Sequence, residues 1–342
     1  MKAFVKVGRN PGEANLEELP KPKPDFGEVL LQVAACGVCG SDLHAYRSDR
    51  GYEWMEPPTV LGHEFAGTVE AVGRGVDQVR PGDRVVAIAI QGCGSCHTCG
   101  VGSTHLCPQR QIIGLNYDGG MSEHVIVGER HLVRVPEDTD LKVAALAEPL
   151  SVAVHAILVR SEIQPGRTVV VTGPGPIGLL CGMLAKLSGG KVLMVGTSAD
   201  AASRLPAAER LGLLTANLDD RPLNEHIKRT FDERPPDVWV EASGAVKALE
   251  AALGTVRRGG TVTIVGMFSG QMSFFPTDAV RSELSLLFSY ASNYADYQIA
   301  LDLLARGVID TTPLVQPYRL VEAPQAFAAA SAKHAVKPLL IP

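Results

Sequence analysis

No apolar stretch of this 342-residue sequence stays free of helix breakers and charge for long enough to cross a bilayer. The longest apolar region, residues 169–187, contains Pro174, Pro176, four glycines and Lys186. Residues 1–9 alternate like a strand and carry charge too often to supply the apolar core of a signal peptide, so a cytoplasmic protein is expected. Basic charge is also in short supply. Lys and Arg number 32 against 37 Asp and Glu, a net charge of -5, which argues against a nucleic-acid partner. Aromatic residues make up only 5%, so few side chains are available to shape a substrate pocket by ring contacts. What remains is a chain with 46% apolar and 20% charged residues, long enough for about two domains that each bury a core.

Six of the seven cysteines are grouped, with Cys181 alone, and in a cytosolic chain such spacing points to metal or catalysis more than to disulfides. Cys93, Cys96 and Cys99, followed by Cys107, put four thiolates into one loop rich in Gly, Ser and Thr. Two tight steps and one longer return can wrap a tetrahedral zinc with no open position, a structural site that contributes folding energy. His97 and His105 lie in the same loop, but four thiolates already complete the shell. A second group runs from Cys36 to Glu64. The Cys39 thiolate, the His63 imidazole and one carboxylate are the S, N and O donors of a catalytic zinc, which keeps its fourth position for substrate. The carboxylate is expected from Glu148, an acidic residue inside the apolar run 146–150, with Glu64 as the alternative. Cys36 and Cys39 also spell a C-x-x-C redox pair, but the βαβ setting of such pairs is missing.

The sequence Gly62, His63, Glu64, with Gly67, Gly73 and Val76 and then Pro81, Gly82, Asp83, Arg84 and Val85, resembles the zinc signature of the medium-chain dehydrogenase/reductase family. The likeness is to its zinc-containing alcohol and polyol dehydrogenase branch, and it covers nearly the whole chain.

Residues 1–33 alternate apolar and polar positions and are cut by prolines, which predicts short strands joined by turns. A helical turn after Gly40 would put Ser41 and His44 on one side, three residues apart. Further on, the buried strand at 168–171 runs into Gly173, Pro174, Gly175, Pro176, Ile177 and Gly178 and then an apolar helix. With a second strand at 191–195, this is the context a dinucleotide-binding glycine turn requires. At the end of that second strand Gly196 stands where an NAD enzyme carries Asp or Glu. NADP is therefore favoured: Gly196 leaves room for a 2′-phosphate, Thr197 and Ser198 offer hydroxyls, and Arg204 supplies charge. In the competing reading Asp200 folds back to the ribose and NAD is used. Two more buried strands, 237–241 and 261–265, extend a parallel sheet whose ends near Ser243 and Gly266 should line the nicotinamide pocket.

The resemblance implies an α/β chain: a β-rich GroES-like catalytic domain (1–148 and 285–342) and a Rossmann doubly wound parallel-sheet domain (149–284). It implies that Ser41 takes the alcohol proton and passes it by way of the nicotinamide ribose to His44, and that Asp42 orients His63. Taken without the family, Ser41 and Asp42 cap a helix and His44 is a surface residue. Lys337 matches a basic position that reaches the pyrophosphate in relatives, the alternative being a solvated lysine. Glu148, where dehydrogenases of simple alcohols usually carry Cys, implies a polyol, sugar or hydroxy amino acid with a secondary alcohol, near Tyr46, Trp54 and Tyr290. A simple-alcohol dehydrogenase and a non-catalytic zinc- and nucleotide-binding scaffold are the alternatives. A homo-oligomer, dimer or tetramer, is expected, with the apolar strand at 284–290 extending a sheet between subunits.

Overall fold

The computed structural model describes residues 1–161 and 163–342, which form two compact units: Met1–Ser151 with Ser292–Pro342, and Val152–Ala291. In the first unit the strands are β1 (Lys2–Lys6), β2 (Ala14–Glu18), β3 (Glu28–Gly37), β4 (Thr59–Val60), β5 (Glu64–Val72), β6 (Arg84–Ala87), β7 (Ile90–Gln91), β8 (Gln111–Ile112), β9 (His124–Gly128) and β10 (Leu132–Arg134). The second unit contributes β11 (Thr168–Thr172), β12 (Lys191–Gly196), β13 (Leu214–Asn217), β14 (Val238–Glu241), β15 (Thr261–Ile264) and β16 (Ser285–Phe288). The chain then returns to the first unit for β17 (Val315–Arg319) and β18 (Lys337–Ile341).

The main sheet of the first unit has the order β10-β6-β5-β3-β18-β17, with β9 paired to β3. Its period-two patterning buries Val29, Leu31 and Val33 of β3 against Phe65, Val69 and Val85, and the helix Ala323–Ser331 closes this core with Phe327. The small sheets β2-β1-β4 and β7-β8 flank it. At the unit's boundaries the hydroxyls of Ser151 and Ser292 meet at 2.7 Å.

The second unit is a six-stranded parallel sheet in the order β13-β12-β11-β14-β15-β16. Helices Pro176–Leu187, Arg204–Arg210, Leu223–Thr230, Val246–Thr255 and Pro276–Arg281 form the crossovers. Winding outward in both directions from β11 makes this the doubly wound Rossmann order, with its reversal between β11 and β14. Trp239 of β14 is fully buried and donates its indole N–H to Thr172 Oγ1 at 3.1 Å, tying the two central strands together.

Strand β16 corrects the sequence-based boundary. Residues 285–288 pair in parallel with β15 and belong to the second unit, not to the returning tail. An apolar four-residue strand fits either sheet by pattern alone, and the pairing decides it. The helix expected across 144–159 is interrupted: Leu141–Ala144, Ala147–Val154 and a wider-wound turn at His155–Ser161. No helix among the described residues is long and apolar enough to cross a membrane.

Candidate active site and metal centres

β3 delivers the chain to Cys39, which caps the helix Gly40–Arg47. The cap is completed by Asp42, whose Oδ2 accepts the Cys39 N–H at 2.8 Å. The other oxygen, Oδ1, lies 3.5 Å from Nδ1 of His63, and neither of those two buried atoms has a hydrogen-bond partner. His63 is held just before β5 by Gly62, at φ +97, where a Cβ would come within 2.6 Å of Met121 Cγ and 2.7 Å of Cys36 Sγ. Its other nitrogen, Nε2, is 3.2 Å from Ser41 Oγ. Burial opposes a charge on His63, but the Asp42 carboxylate and the Cys39 sulfur outweigh it and hold the imidazole well above its ordinary pKa. Asp42 itself is pushed up by burial, which the attraction of His63 only partly offsets.

Ligand atoms of Cys39, His63 and Glu64 lie within 4.8 Å of one another. Donors about 2.0–2.3 Å from a zinc stand roughly 3.3–3.8 Å apart, so the cluster needs little adjustment to hold one. An orphaned, buried imidazole nitrogen facing a carboxylate is the arrangement that fixes the tautomer of a ligating histidine. The three donors therefore fit zinc. Glu148, the carboxylate first expected here, lies outside that three-residue cluster but within its field. Its carboxyl is pushed up to about 7, chiefly by burial, while His63 pulls it down and Glu64 pushes it further up.

Lys337 is a correction. It does not reach outward toward a pyrophosphate: it is buried in β18, with Nζ 2.7 and 2.6 Å from the two oxygens of Glu64 and 3.0 Å from the carbonyl of Val38. All three ammonium protons are spent inside the first unit.

His44 is partly exposed on the same helix as Ser41. Its Nδ1 lies 2.7 Å from Asp49 Oδ2, and its ring stacks on Tyr52 with centroids 5.5 Å apart. Trp54 continues that stack from Tyr52. Tyr46 packs its ring against the core pair Phe4 and Phe327, at 6.4 and 5.2 Å. Tyr290 follows β16 in the second unit.

The second cysteine group closes as its spacing suggests. The sulfurs of Cys93, Cys96, Cys99 and Cys107 lie within 4.8 Å of one another, and all four are free of disulfides. Backbone N–H groups of Cys93 and Gln109 point at Cys107 Sγ from 3.4 and 3.3 Å. The N–H and hydroxyl of Ser95 bring Cys93 down to about 6. The donors aimed at Cys93 and Cys107 favour the thiolate form that zinc takes at those two, whereas at Cys99 a backbone N–H of Gly94 is outweighed by burial and the neighbouring sulfurs, which push it up to about 11. His97 and His105 stay outside the cluster.

In the second unit, β11 ends at Gly173, φ +89, where a Cβ would stand 2.7 Å from the Cα of Ser243 at the end of β14. A Cβ on Gly178 would meet the Gly173 carbonyl at 2.0 Å, whereas Gly175, which caps the helix Pro176–Leu187, faces open space. Close packing at two glycines and openness at the middle one suit a pyrophosphate laid against backbone N–H groups. Glu241 at the end of β14 carried no sequence signal, yet it is fully buried and accepts the N–H groups of Ser243 and Gly244 at 2.8 and 3.1 Å, besides the Ser243 hydroxyl. Gly266 packs against this corner, its Cβ position 2.4 Å from the Gly244 nitrogen.

The 2′-position residues are arranged differently from expectation. Asp200 is buried: Thr197 donates to it from both N–H and hydroxyl, each at 3.2 Å, and Arg204 Nη1 lies 3.5 Å away. In this arrangement the Asp200 carboxylate is occupied by Thr197 and Arg204, and the Thr197 hydroxyl is donated to it. Ser198 presents its N–H to Asp219 at 2.8 Å and accepts from Asn217.

A parallel sheet carrying an open glycine turn and a β-rich unit with two zinc-fitting clusters define a zinc-binding, nicotinamide-dependent dehydrogenase. Residues 25–137 match the alcohol dehydrogenase GroES-like domain, and residues 176–306 match the zinc-binding dehydrogenase domain. Sorbitol dehydrogenase of Halalkalibacterium halodurans is 35% identical over 100% of this chain and 99% of its own length. L-threonine 3-dehydrogenase of Pyrococcus abyssi is 36% identical over 76% of this chain and 74% of its own. A Sinorhizobium meliloti protein whose structure was solved bound to NADP superposes with a TM-score of 0.91 at 30% identity, covering 100% of this chain and 99% of that one. The chain belongs to the zinc-containing medium-chain dehydrogenase/reductase family, in its alcohol and polyol dehydrogenase branch.

Proposed function

We propose that this enzyme interconverts a secondary alcohol of a polyol, sugar or hydroxy amino acid and its carbonyl, with NADP or NAD as hydride carrier. The observation that carries the reading is the donor set: one thiolate, one imidazole and two neighbouring carboxylates, Glu64 and Glu148, with no second thiolate in the cluster among the described residues. The names of the relatives, sorbitol and L-threonine 3-dehydrogenases, support the same substrate class.

Cys39, His63 and a carboxylate from Glu64 or Glu148 would hold the catalytic zinc, while Cys93, Cys96, Cys99 and Cys107 would hold a second, structural one. When bound, zinc lowers the pKa of a hydroxyl and polarises a carbonyl, and the nicotinamide exchanges the hydride. Asp42 keeps a proton on His63 Nδ1 so that Nε2 stays a ligand. Ser41, beside that nitrogen, receives the substrate proton, and His44, on the exposed side of the same helix, hands it to solvent. Asp49 on His44 Nδ1 leaves the other ring nitrogen as the acceptor. Gly173, Gly175, Pro176, Ile177 and Gly178 seat the pyrophosphate, and Ser243 and Gly266 flank the nicotinamide end. The enzyme acts in the cytoplasm as a homo-oligomer. The exposed edge strand β16, with Phe288 67% exposed, supports a subunit contact.

The test is nicotinamide reduction by zinc-replete protein across simple alcohols, threonine, polyols and sugars, with both nucleotides in parallel. Turnover of a polyol, sugar or threonine is expected. Activity confined to simple alcohols would refute the substrate class, and nucleotide binding without turnover of any of them would favour the non-catalytic scaffold.

A further inference from the structure

The corner after β12 contains a donor with nothing to bond. Arg204 opens the helix Arg204–Arg210 with its side chain only 17% exposed, and its Nε is buried without a hydrogen-bond partner. Burial also makes its charge harder to hold than a surface guanidinium's, while Asp200 works the other way. A buried guanidinium with an idle N–H is costly, and the residue's natural complement is a planar or tetrahedral oxyanion. The position is informative as well. Gly196, at the end of β12, packs so closely that a Cβ there would come within 2.9 Å of Pro174 in the glycine turn, 3.1 Å of Leu205 and 3.3 Å of Asp200. The glycine turn, the end of the second strand and the Asp200–Arg204 pair therefore share one corner, where the adenosine ribose of a dinucleotide lies in this fold.

We propose that Asp200 sets the choice between nucleotides, because its carboxylate and the 2′-phosphate of NADP compete for the Arg204 guanidinium. The inference rests on the nucleotide reading of this unit. In the present arrangement Arg204 Nη1 is turned toward Asp200 across a long 3.5 Å contact, and Thr197 gives the same carboxylate both its N–H and its hydroxyl. A phosphate monoester carries more charge than a carboxylate and takes a guanidinium in a two-pronged grip, so it wins Arg204 once it is close. It does so against the repulsion of a buried carboxylate that loses its cation. Asp200 thus acts as a positioning residue that holds the preference for the 2′-phosphate down, and Arg204 is the group that touches it. With NAD there is no phosphate to claim Arg204, and the internal pair stays closed.

The experiment uses the two adenosine fragments, so hydride transfer does not enter. Wild type and the variants Asp200→Asn, Asp200→Ser, Arg204→Gln and Arg204→Lys are titrated calorimetrically with 2′,5′-ADP and with 5′-AMP. Asp200→Asn should tighten 2′,5′-ADP by ~10-fold and leave 5′-AMP within about twofold, since the removed carboxylate repels only the extra phosphate. Arg204→Gln should bring 2′,5′-ADP down to the affinity of 5′-AMP, and Arg204→Lys should fall between, keeping the charge and losing the fork. Ser at position 200 retains an acceptor for Thr197 without charge and replaces the Asn variant if that one fails to fold. An unchanged ratio of the two affinities in the Asp200 variants, or in Arg204→Gln, overturns the proposal. Failure of 5′-AMP to bind wild type at all would instead overturn the nucleotide reading beneath it.

Discussion

Replacing Lys337 by methionine isolates the buried charge pair at the Cys39–His63–Glu64 cluster. Lys337 and Glu64 are 2% and 1% exposed, and the ammonium lies 2.7 and 2.6 Å from the two carboxylate oxygens. Methionine fills much of the lysine volume but leaves Glu64 a bare anion in the interior, with Asp42 and Glu148 close enough to be felt. Breaking a buried pair by removing one partner costs about 3–5 kcal/mol, well above the roughly 0–1 kcal/mol of a surface pair. A second substitution, Glu64→Gln, removes the stranded charge and should recover most of the loss, so the two changes are strongly non-additive. The measurement is urea unfolding of zinc-free protein, read by hydrogen exchange in peptides from β5 and β18 so that the first unit is followed separately. Zinc should act in the opposite direction, binding Lys337→Met more tightly than wild type because Glu64 is released toward Cys39 and His63. A destabilisation under about 1 kcal/mol, or a double variant no better than the single one, would refute the reasoning.

Elemental analysis should find two zincs per chain. Cys107→Ser should drop the count to one, and Glu148→Ala should lower occupancy of the Cys39–His63 centre while the four-cysteine site stays filled. Gly175→Ala should fold normally, because its φ is −72 and nothing stands where the Cβ would go, yet weaken dinucleotide binding about tenfold or more by fending off the pyrophosphate. Gly178→Ala, with a backbone oxygen 2.0 Å from the new methyl, should destabilise the second unit by about 1–3 kcal/mol in thermal unfolding. His131, buried and beside Arg130, has its pKa lowered to about 4 from 6.5. The unfolded chain therefore binds a proton that the folded one refuses between those values. Stability should be full above pH 6.5 and fall, by on the order of 3 kcal/mol at most, as the pH drops toward 4. His131→Gln should flatten that slope in unfolding measured from pH 7 to 4.

Much of the site was legible because its chemistry is encoded in local spacing. Cys93, Cys96, Cys99 and Cys107 lie within fifteen residues, and the glycine turn announces itself between a strand and a helix. Cys39 and His63 were legible by signature, and the parallel sheet by its repeat of buried strands. What stayed hidden depends on contacts far apart in sequence or on the direction a side chain takes. Lys337 and Glu64 are 273 positions apart, and no pattern in either segment tells that both point inward. Asp200 reads as available to a ribose until Thr197 and Arg204 are seen to enclose it. Tyr46 is an aromatic near the relay, but one face of its helix belongs to the core with Phe4 and Phe327. The choice between Glu64 and Glu148 has the same origin, since both are acidic residues brought to one imidazole by different segments.

Strand β18 follows β3 by some three hundred positions in sequence, yet it lies beside it inside the sheet, between β3 and β17. On a ribosome adding about 5–20 residues per second, Glu64 emerges roughly 14–55 s before the lysine that neutralises it, 273 positions later. Through that interval the Cys36–Gly37 end of β3 lacks its neighbour, and the Glu64 carboxylate sits in a half-built interior without a counter-charge. The parallel sheet is complete at residue 288 and need not wait. A nascent chain that stops short of residue 337 keeps the open edge and the bare carboxylate, so β18 is the strand that both covers the end of β3 and neutralises Glu64.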